Sequence, residues 1–258
     1  MFRRLWSHRG LVLSLVRRQY QVRYRQSMVG IAWAILPPIA TLATAMLVFG
    51  NIAGVDTGKN SYSLITMAAL VPWTFFASSL TSGIPSIVSN STTLTRIPFP
   101  RAALPLGTIG ISMIDISISM VIFTVMAYAI GDGLPLTTLW LPALFALELI
   151  LVVGVVLLGS AVNVFARDVK LAVPLGTQLW MFLTPVLYPL STVESPEIRT
   201  FMLANPMTGL VESFRDILIH GTTPDVGLLM PTMIGALGLL LIGSWYFSAV
   251  ETRFADVV

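Results

Sequence analysis

The sequence predicts an all-α integral membrane protein with one transmembrane domain over residues 1–258. Of its residues, 55% are hydrophobic and 10% are charged, whereas soluble domains carry about 25% charged residues. The mean hydropathy of +0.85 also indicates a membrane protein. Long continuous apolar runs favour helices over the alternating strands of a barrel. The composition excludes a soluble domain, and it also excludes disordered and nucleic-acid-binding proteins, which need abundant solvated charge.

Six apolar segments are long enough to cross a bilayer. The hydrocarbon core is about 30 Å thick and needs about 20 helical residues. The predicted spans are 31–49, 62–80, 104–130, 139–165, 171–190 and 227–250. Pro37 and Pro38 fall inside the first span and predict a kink there.

Lysine and arginine residues are concentrated on one side of these spans. That side has seven arginines before Gly30 and five further basic residues, twelve in all, against three on the other side. The three are Lys59, Arg199 and Arg215. Because cytoplasmic loops carry the excess of positive charge, we expect both termini to face the cytoplasm.

Residues 8–26 are predicted to form an amphipathic helix in the cytoplasmic interface. Arg17, Arg18 and Arg25 share its polar face, where they can meet lipid phosphates. This helix is either a topology anchor or a binding element. Arg23 falls toward the apolar side and is therefore the better candidate for a specific anionic ligand.

Two further segments lie between spans. The connection 81–103 is longer than the usual 2–8 residues, so it is either a docking element for a partner or a solvated loop. On the external side, Ser195-Pro196 and Asn205-Pro206 each predict the start of a short helix, with Gly221 as a stop. Neither helix is long enough to span, and both are expected to act as a re-entrant lid or gate before the last span.

The sequence contains no Walker A loop, and the nearest approach, residues 54–60, ends in Asn60. ATP hydrolysis, if it drives this protein, must therefore come from another chain. There is no cysteine, and His8 and His220 leave almost nothing for a metal site. We expect no catalytic residue, no metal and no cofactor in this chain.

Asp115 and Glu148 fall near the middle of two spans. Intramembrane acids are functional candidates by default, although a protonated or hydrogen-bonded carboxyl packed inside the bundle is the alternative. Aromatic residues could either anchor the membrane interface or stack on a passing sugar in a channel. The channel candidates are Trp33, Trp73, Phe76, Trp180 and Tyr188.

Five segments, in order and spacing, match one family signature. The first reads RYRQSMVGIAWAILPP from Arg23 to Pro38, and the others are 96–101, 163–168, 184–188 and 205–207. Together they resemble the ABC-2 type permeases that export polysaccharides and teichoic acids, over essentially the whole chain. Pro38 is one departure, since the family more often has an aliphatic residue there.

The resemblance implies a half-transporter for a glycan or polyol-phosphate polymer linked to undecaprenyl pyrophosphate. O antigen, capsular polysaccharide and teichoic acid are the cargoes that it allows. Two copies of this chain, surrounded by membrane lipid, would pair with two copies of a P-loop ATPase that holds the ATP and Mg²⁺. The assembly would lie in the bacterial cytoplasmic membrane.

The resemblance also implies roles for particular residues. Arg23, Tyr24 and Arg25 would form a portal for the lipid pyrophosphate. Coupling to the ATPase would involve Arg96, Arg101, Arg167, Asp168 and Lys170. The external gate would contain Asn205, Pro206, Glu212 and Arg215.

Two other functions stay open at this point. One is an ABC-2 permease for another lipid or a drug, against which the basic opening motif and the two external helices argue. The other is a proton-coupled carrier that uses Asp115 and Glu148 and needs no ATPase.

Overall fold

The computed structural model of the chain describes residues 9–21, 32–52, 61–91 and 100–254, and every regular element in these ranges is helical. The α-helices are α1 (Arg9–Tyr20), α2 (Ala32–Ala45), α3 (Tyr62–Gly83), α4 (Ser86–Ser89), α5 (Ala103–Ile130), α6 (Leu141–Phe165), α7 (Val169–Leu183), α8 (Pro196–Leu203), α9 (Pro206–Arg215) and α10 (Val226–Val250).

Four helical stretches are long and apolar enough to cross a membrane. They are Tyr62–Gly83, Ala103–Ile130, Leu136–Phe165 and Val226–Arg253, which contain α3, α5, α6 and α10 with their flanking 3₁₀ turns. They correspond closely to the predicted spans 62–80, 104–130, 139–165 and 227–250. The prediction of an all-helical fold is confirmed for the described residues, and four of the six predicted spans are helices suited to a membrane by length and composition.

The first predicted span, 31–49, is helical from residue 32 to residue 52. Helix α2 continues as the π-helical segment Met46–Ile52, and Pro37 and Pro38 lie within its first two turns. Before it, α1 covers part of the predicted interface helix 8–26, and the rest of that prediction lies outside the described residues. Helix α1 packs on α5, where a Cβ added at Gly110 would lie 2.8 Å from Cγ2 of Val16.

The predicted span 171–190 is not helical over its whole length. Helix α7 stops at Leu183 and Thr184 has extended backbone angles, so 184–190 is not a continuation of the helix. Pro185 follows directly and disfavours a helical conformation of Thr184. Asn205, which caps α9, binds the Thr184 hydroxyl, and Arg215 of α9 binds the Val186 carbonyl, so both groups have partners without a helix.

The two short helices that precede the last span are present as predicted. Asn205 begins α9, where its Oδ1 accepts a hydrogen bond from the Met207 amide at 3.0 Å, and Ser195 caps α8 in the same way. The predicted stop is also confirmed. Gly221 has a φ of 66°, in the left-handed region that glycine adopts without strain.

The core of the molecule surrounds α3, which is the most buried of the four long stretches. Helices α2, α5, α6, α7 and α9 all pack against it. In contrast, α10 presents large apolar side chains outward, among them Leu241 and Trp245. An exposed apolar surface of this kind is suited to contact with lipid or with another membrane subunit.

Helices α6 and α10 form the most extensive helix pair, and glycines allow them to approach closely. A Cβ added at Gly154 would lie 2.5 Å from the backbone nitrogen of Leu240, and one at Gly243 would lie 2.3 Å from the carbonyl oxygen of Gly154. Small residues at such crossings let backbones meet, as is common between membrane helices. This contact fixes α10 beside α6.

Candidate functional site

Three of the predicted channel aromatics contact one another. The ring centroids of Trp73 and Phe76 are 5.5 Å apart, and those of Phe76 and Trp180 are 5.0 Å apart with an angle of 86° between the rings. The second pair has the edge-to-face arrangement that aromatic quadrupoles favour. Trp73 and Phe76 are buried, whereas Trp180 is half-buried, so the cluster joins the centre of α3 to α7.

Asn205 connects this aromatic cluster to the predicted gate. Its Oδ1 accepts a hydrogen bond from Nε1 of Trp180 at 3.1 Å while it caps α9. Its Nδ2 donates to Oγ1 of Thr184 at 2.8 Å. The side chain therefore ties the end of α7 to the beginning of α9, and Pro206 at the first helical position fixes the entry into α9.

Arg215, which the sequence places on the polar face of an external helix, is fully buried. Nη1 donates to Oε1 of Glu212 at 2.6 Å, Nη2 to the carbonyl oxygen of Val186 at 2.8 Å, and Nε to that of Ile65 at 3.3 Å. Burial lowers the pKa of the Arg215 guanidinium, and the charge of Glu212 raises it again. The ion pair and the two carbonyls together stabilise a buried cation.

Glu212 and Tyr62 extend this network. Oε1 of Glu212 also accepts a hydrogen bond from the Leu190 amide at 3.1 Å. The hydroxyl of Tyr62, at the beginning of α3, donates to the carbonyl oxygen of Leu187 at 2.6 Å. The non-helical segment 184–190 is thus held from both sides, by α9 and by α3.

Tyr188, the fifth channel candidate, lies within that held segment. Its hydroxyl donates to the carbonyl oxygen of Phe182 at 2.7 Å, and its ring centroid is 6.5 Å from that of Phe49. The side chain is half-buried. For Trp33, the side chain lies outside the described part of the structure.

The coupling candidates that the structure describes fall in two places. Arg167, Asp168 and Lys170 are exposed where α6 turns into α7, and the Lys170 amide donates to Oδ1 of Asn163 at 2.9 Å. Arg101 is half-buried before α5, with its Cζ 6.0 Å from the ring centroid of Phe254. The remaining candidates, Arg96 and the portal residues Arg23, Tyr24 and Arg25, lie outside the described residues.

The two intramembrane acids have different surroundings. Both are buried, but Oδ2 of Asp115 lies 2.5 Å from the hydroxyl of Ser78. For Glu148, neither carboxyl oxygen has a hydrogen-bond partner among the described residues. Nor does that part of the chain hold a group of three or more His, Asp or Glu side chains placed to bind a metal.

Sequence reasoning missed the hydroxyl groups around Asp115. Thr74 and Ser78 are four residues apart on α3, and Ser112, Asp115 and Ser119 follow at intervals of three and four on α5. Such spacing places each set on one helix face. A search of the apolar spans for polar residues at helical spacing would have detected both stripes.

Comparison with known proteins decides the family. The model of the family described as "ABC-2 type transporter" matches residues 10–219, which is well over half of the chain. The chain belongs to the ABC-2 type transporter family. As a permease subunit of such a transporter, it is the transmembrane component and not the ATPase.

Individual relatives match this ABC-2 permease over most of their length. The O-antigen export system permease protein RfbA of Myxococcus xanthus is 29% identical over 259 residues, covering 100% of this chain and 99% of the relative. A protein of the same name from Klebsiella pneumoniae is 26% identical, with 96% and 95% covered. The polysialic acid transport protein KpsM of Escherichia coli is 22% identical, with 81% of each chain covered.

Proposed function

We propose that this ABC-2 permease exports a polysaccharide linked to undecaprenyl pyrophosphate, of the O-antigen or capsular type, across the bacterial cytoplasmic membrane. The observation that carries the proposal is the similarity to O-antigen export permeases over nearly the full length of both chains. The similarity to a polysialic acid transport protein supports the same class of cargo, a polysaccharide. Teichoic acid, a polyol-phosphate polymer, is the alternative cargo that the sequence signature allows.

The proposed working unit contains two copies of this chain and two copies of an ABC ATPase. ATP and Mg²⁺ are held by the ATPase, and its closure moves the permease as rigid bodies. Exposure of Arg167, Asp168 and Lys170 in one turn supports a contact there. Arg96 and Arg101 belong to the second proposed contact, in the long connection that leads into α5.

Six spans with both termini in the cytoplasm form the proposed topology. Residues 32–52 make a helical stretch of about 31 Å, enough for the first span. Helix α7, with 15 residues, reaches about 22 Å, and the segment 184–190 completes the crossing. Non-helical backbone is tolerated at membrane depth where protein satisfies it, as Arg215 and Tyr62 do here.

Arg23, Tyr24 and Arg25 form the proposed entry for the lipid-linked substrate. They precede α2 in the chain, on the side of the membrane with the excess of arginine. A pyrophosphate carries concentrated negative charge, and guanidinium groups bind phosphate oxygens in a bidentate manner. The polymer itself would slide past uncharged aromatic and hydroxyl-bearing walls and leave beside α8 and α9.

Substrate-stimulated ATP hydrolysis tests this function. The permease and its ATPase are purified together and reconstituted in lipid nanodiscs, and lipid-linked polysaccharide extracted from the producing strain is added. We expect the substrate to accelerate ATP hydrolysis by the wild-type complex. In the double variant Arg23→Ala/Arg25→Ala, loss of two charge-assisted contacts is expected to weaken the stimulation by about tenfold or more.

The matched control removes two arginines of α1 without touching the proposed portal. In Arg17→Ala/Arg18→Ala the interfacial charge falls by the same amount, and stimulation is expected to stay near that of the wild type. Equal losses in the two double variants would assign the arginines to membrane anchoring alone. A wild-type complex that hydrolyses ATP but ignores the lipid-linked polysaccharide would overturn the proposed cargo.

A further inference from the structure

A cavity with mainly apolar walls and one hydroxyl-bearing wall lies between α2, α3, α5 and α7, within the predicted spans. Its volume is about 240 Å³, room for about eight water molecules at some 30 Å³ each. Pro37 and Pro38 of α2, Trp73 of α3 and Met181 of α7 form its apolar walls. A space of this size accepts one small polar molecule or one unit of a polymer.

Hydroxyl groups from two helices line the opposite wall, around one carboxyl. Thr74, Ser78 and Thr81 of α3 and Asp115 and Ser119 of α5 all border the cavity. The hydroxyl of Ser78 lies 2.5 Å from Oδ2 of Asp115, and Thr74 Oγ1 lies 3.1 Å from Ser119 Oγ. The two stripes thus meet across the α3–α5 contact and face α2.

The arrangement of these groups selects the ligand chemistry. The described lining of the cavity contains a carboxyl and hydroxyls but no lysine, arginine or histidine, so it does not attract a phosphate. A carboxylate accepts hydrogen bonds at both oxygens, and each serine or threonine hydroxyl can donate and accept. Such a set is complementary to a ligand that carries several hydroxyl groups.

The length of the polar wall distinguishes a polyol from an ion. Thr74 and Thr81 are seven residues apart on α3, a rise of about 10 Å. A bound Ca²⁺ keeps its oxygen ligands within about 2.6 Å of itself, so one ion cannot contact the polar groups along the whole wall. A sugar ring can contact several of the hydroxyls, and the flat Trp73 ring and the prolines suit its apolar face.

We propose that this cavity is a sugar-binding subsite, in which the Asp115 carboxyl accepts hydrogen bonds from hydroxyl groups of the exported glycan. The proposal rests on the proposed function and adds a defined position within the permease where the glycan is recognised. Ser78 orients the Asp115 carboxyl, and Thr74 and Ser119 extend the polar wall along the cavity. The glycan therefore makes a directional contact in addition to sliding past the aromatic walls.

The concentration dependence of substrate-stimulated ATP hydrolysis tests the subsite. The complex with its ATPase is used in nanodiscs, and the probe is lipid-linked polysaccharide extracted from the producing strain. We expect Asp115→Asn to raise the concentration for half-maximal stimulation about tenfold, because charge-assisted hydrogen bonds are lost. Ser78→Ala is expected to raise it about threefold, since the carboxyl remains but loses its hydrogen bond from Ser78.

Ser117→Ala is the matched control on the same helix. The Ser117 hydroxyl donates to the Met113 carbonyl at 2.7 Å, and the side chain is exposed away from the cavity. We expect this variant to keep the wild-type concentration dependence. Should Asp115→Asn not assemble with the ATPase, Ser78→Ala and Thr74→Val decide the question, since both retain Asp115.

The possible outcomes separate the subsite from the proposed function. No stimulation of the wild-type complex by the polysaccharide contradicts the function itself. Normal stimulation with an unchanged half-maximal concentration in the cavity variants overturns the subsite alone. An ion site is revealed if Asp115→Asn abolishes a response to a Na⁺ or proton gradient in proteoliposomes while the polysaccharide dependence is retained, which also overturns the subsite.

Discussion

Arg215 binds acceptors from three separate parts of the chain: Ile65, Val186 and Glu212. Replacement by methionine leaves the half-buried Glu212 carboxylate without its ion-pair partner and two carbonyls without their donor. Breaking a buried ion pair from one side costs about 3–5 kcal/mol, so Arg215→Met is expected to lower the unfolding temperature of the detergent-solubilised protein markedly. Differential scanning fluorimetry measures that change.

Two further variants isolate the ion pair at Arg215. Arg199→Met, which removes an exposed arginine of α8, is expected to change the free energy of unfolding by no more than about 0.5 kcal/mol. Adding Glu212→Gln to Arg215→Met should recover part of the loss, because the unpaired charge is gone. Wild-type stability in Arg215→Met alone would show that the network does not hold α9 in place.

Asn205 and Arg215 differ in how far their structural roles can be predicted from the sequence. The cap at Asn205 depends on its immediate neighbours, Pro206 and Met207, so local pattern predicts it. The burial of Arg215 depends on carbonyls 29 and 150 residues away in the chain. Helical periodicity places Arg215 on the polar face and contains no information about those distant acceptors.

At the scale of elements, Gly243 and Gly154 set the distance between α6 and α10. A Cβ at Gly243 would lie 2.3 Å from the Gly154 carbonyl oxygen, and neither backbone can move without shifting its helix. Gly243→Ala is therefore expected to destabilise the protein by about 1–3 kcal/mol, the usual cost of overpacking. Thermal unfolding followed by tryptophan fluorescence measures the effect.

Gly238 offers the control on the same helix, since a Cβ there meets nothing within 4 Å. Gly238→Ala gains helix propensity and should leave stability unchanged or raise it by about 0.5–1 kcal/mol. If the two alanine variants unfold at the same temperature, close packing of α6 on α10 does not contribute measurably to stability.

The long helices were predictable because a continuous apolar run of about 20 residues specifies its own secondary structure in a bilayer. The end of α7 was missed, because residues 184–190 are as apolar as the rest of that predicted span, although Pro185 is a local signal for the stop. Here Arg215 and the hydroxyl of Tyr62 donate to the carbonyl oxygens of Val186 and Leu187 in place of helical amides. The hydroxyl groups of α3 and α5 likewise form a common polar wall only when the two helices pack together, and the sequence does not specify that packing.

For the whole molecule, function depends on transmitting movement from an ATPase to helices deep in the membrane. The exposed turn at Arg167 joins α6, which packs along α10, to α7, which carries Trp180 and ends at Asn205. A force on this turn therefore reaches both the helix bundle and the aromatic cluster. This continuity supports Arg167 as a coupling residue, in agreement with its place on the basic side of the chain.

Charge reversal at this turn provides the decisive measurement. Like charges brought together at an interface cost several kcal/mol of binding free energy. A loss of about 1.4 kcal/mol already raises the dissociation constant tenfold. We expect Arg167→Glu to reduce either the amount of ATPase that co-purifies or its stimulation by substrate about tenfold. Arg199→Glu makes the same change on the side predicted to be external and is expected to leave both quantities unchanged. Normal assembly and transport in Arg167→Glu would mean that Arg167 only sets the orientation of the chain.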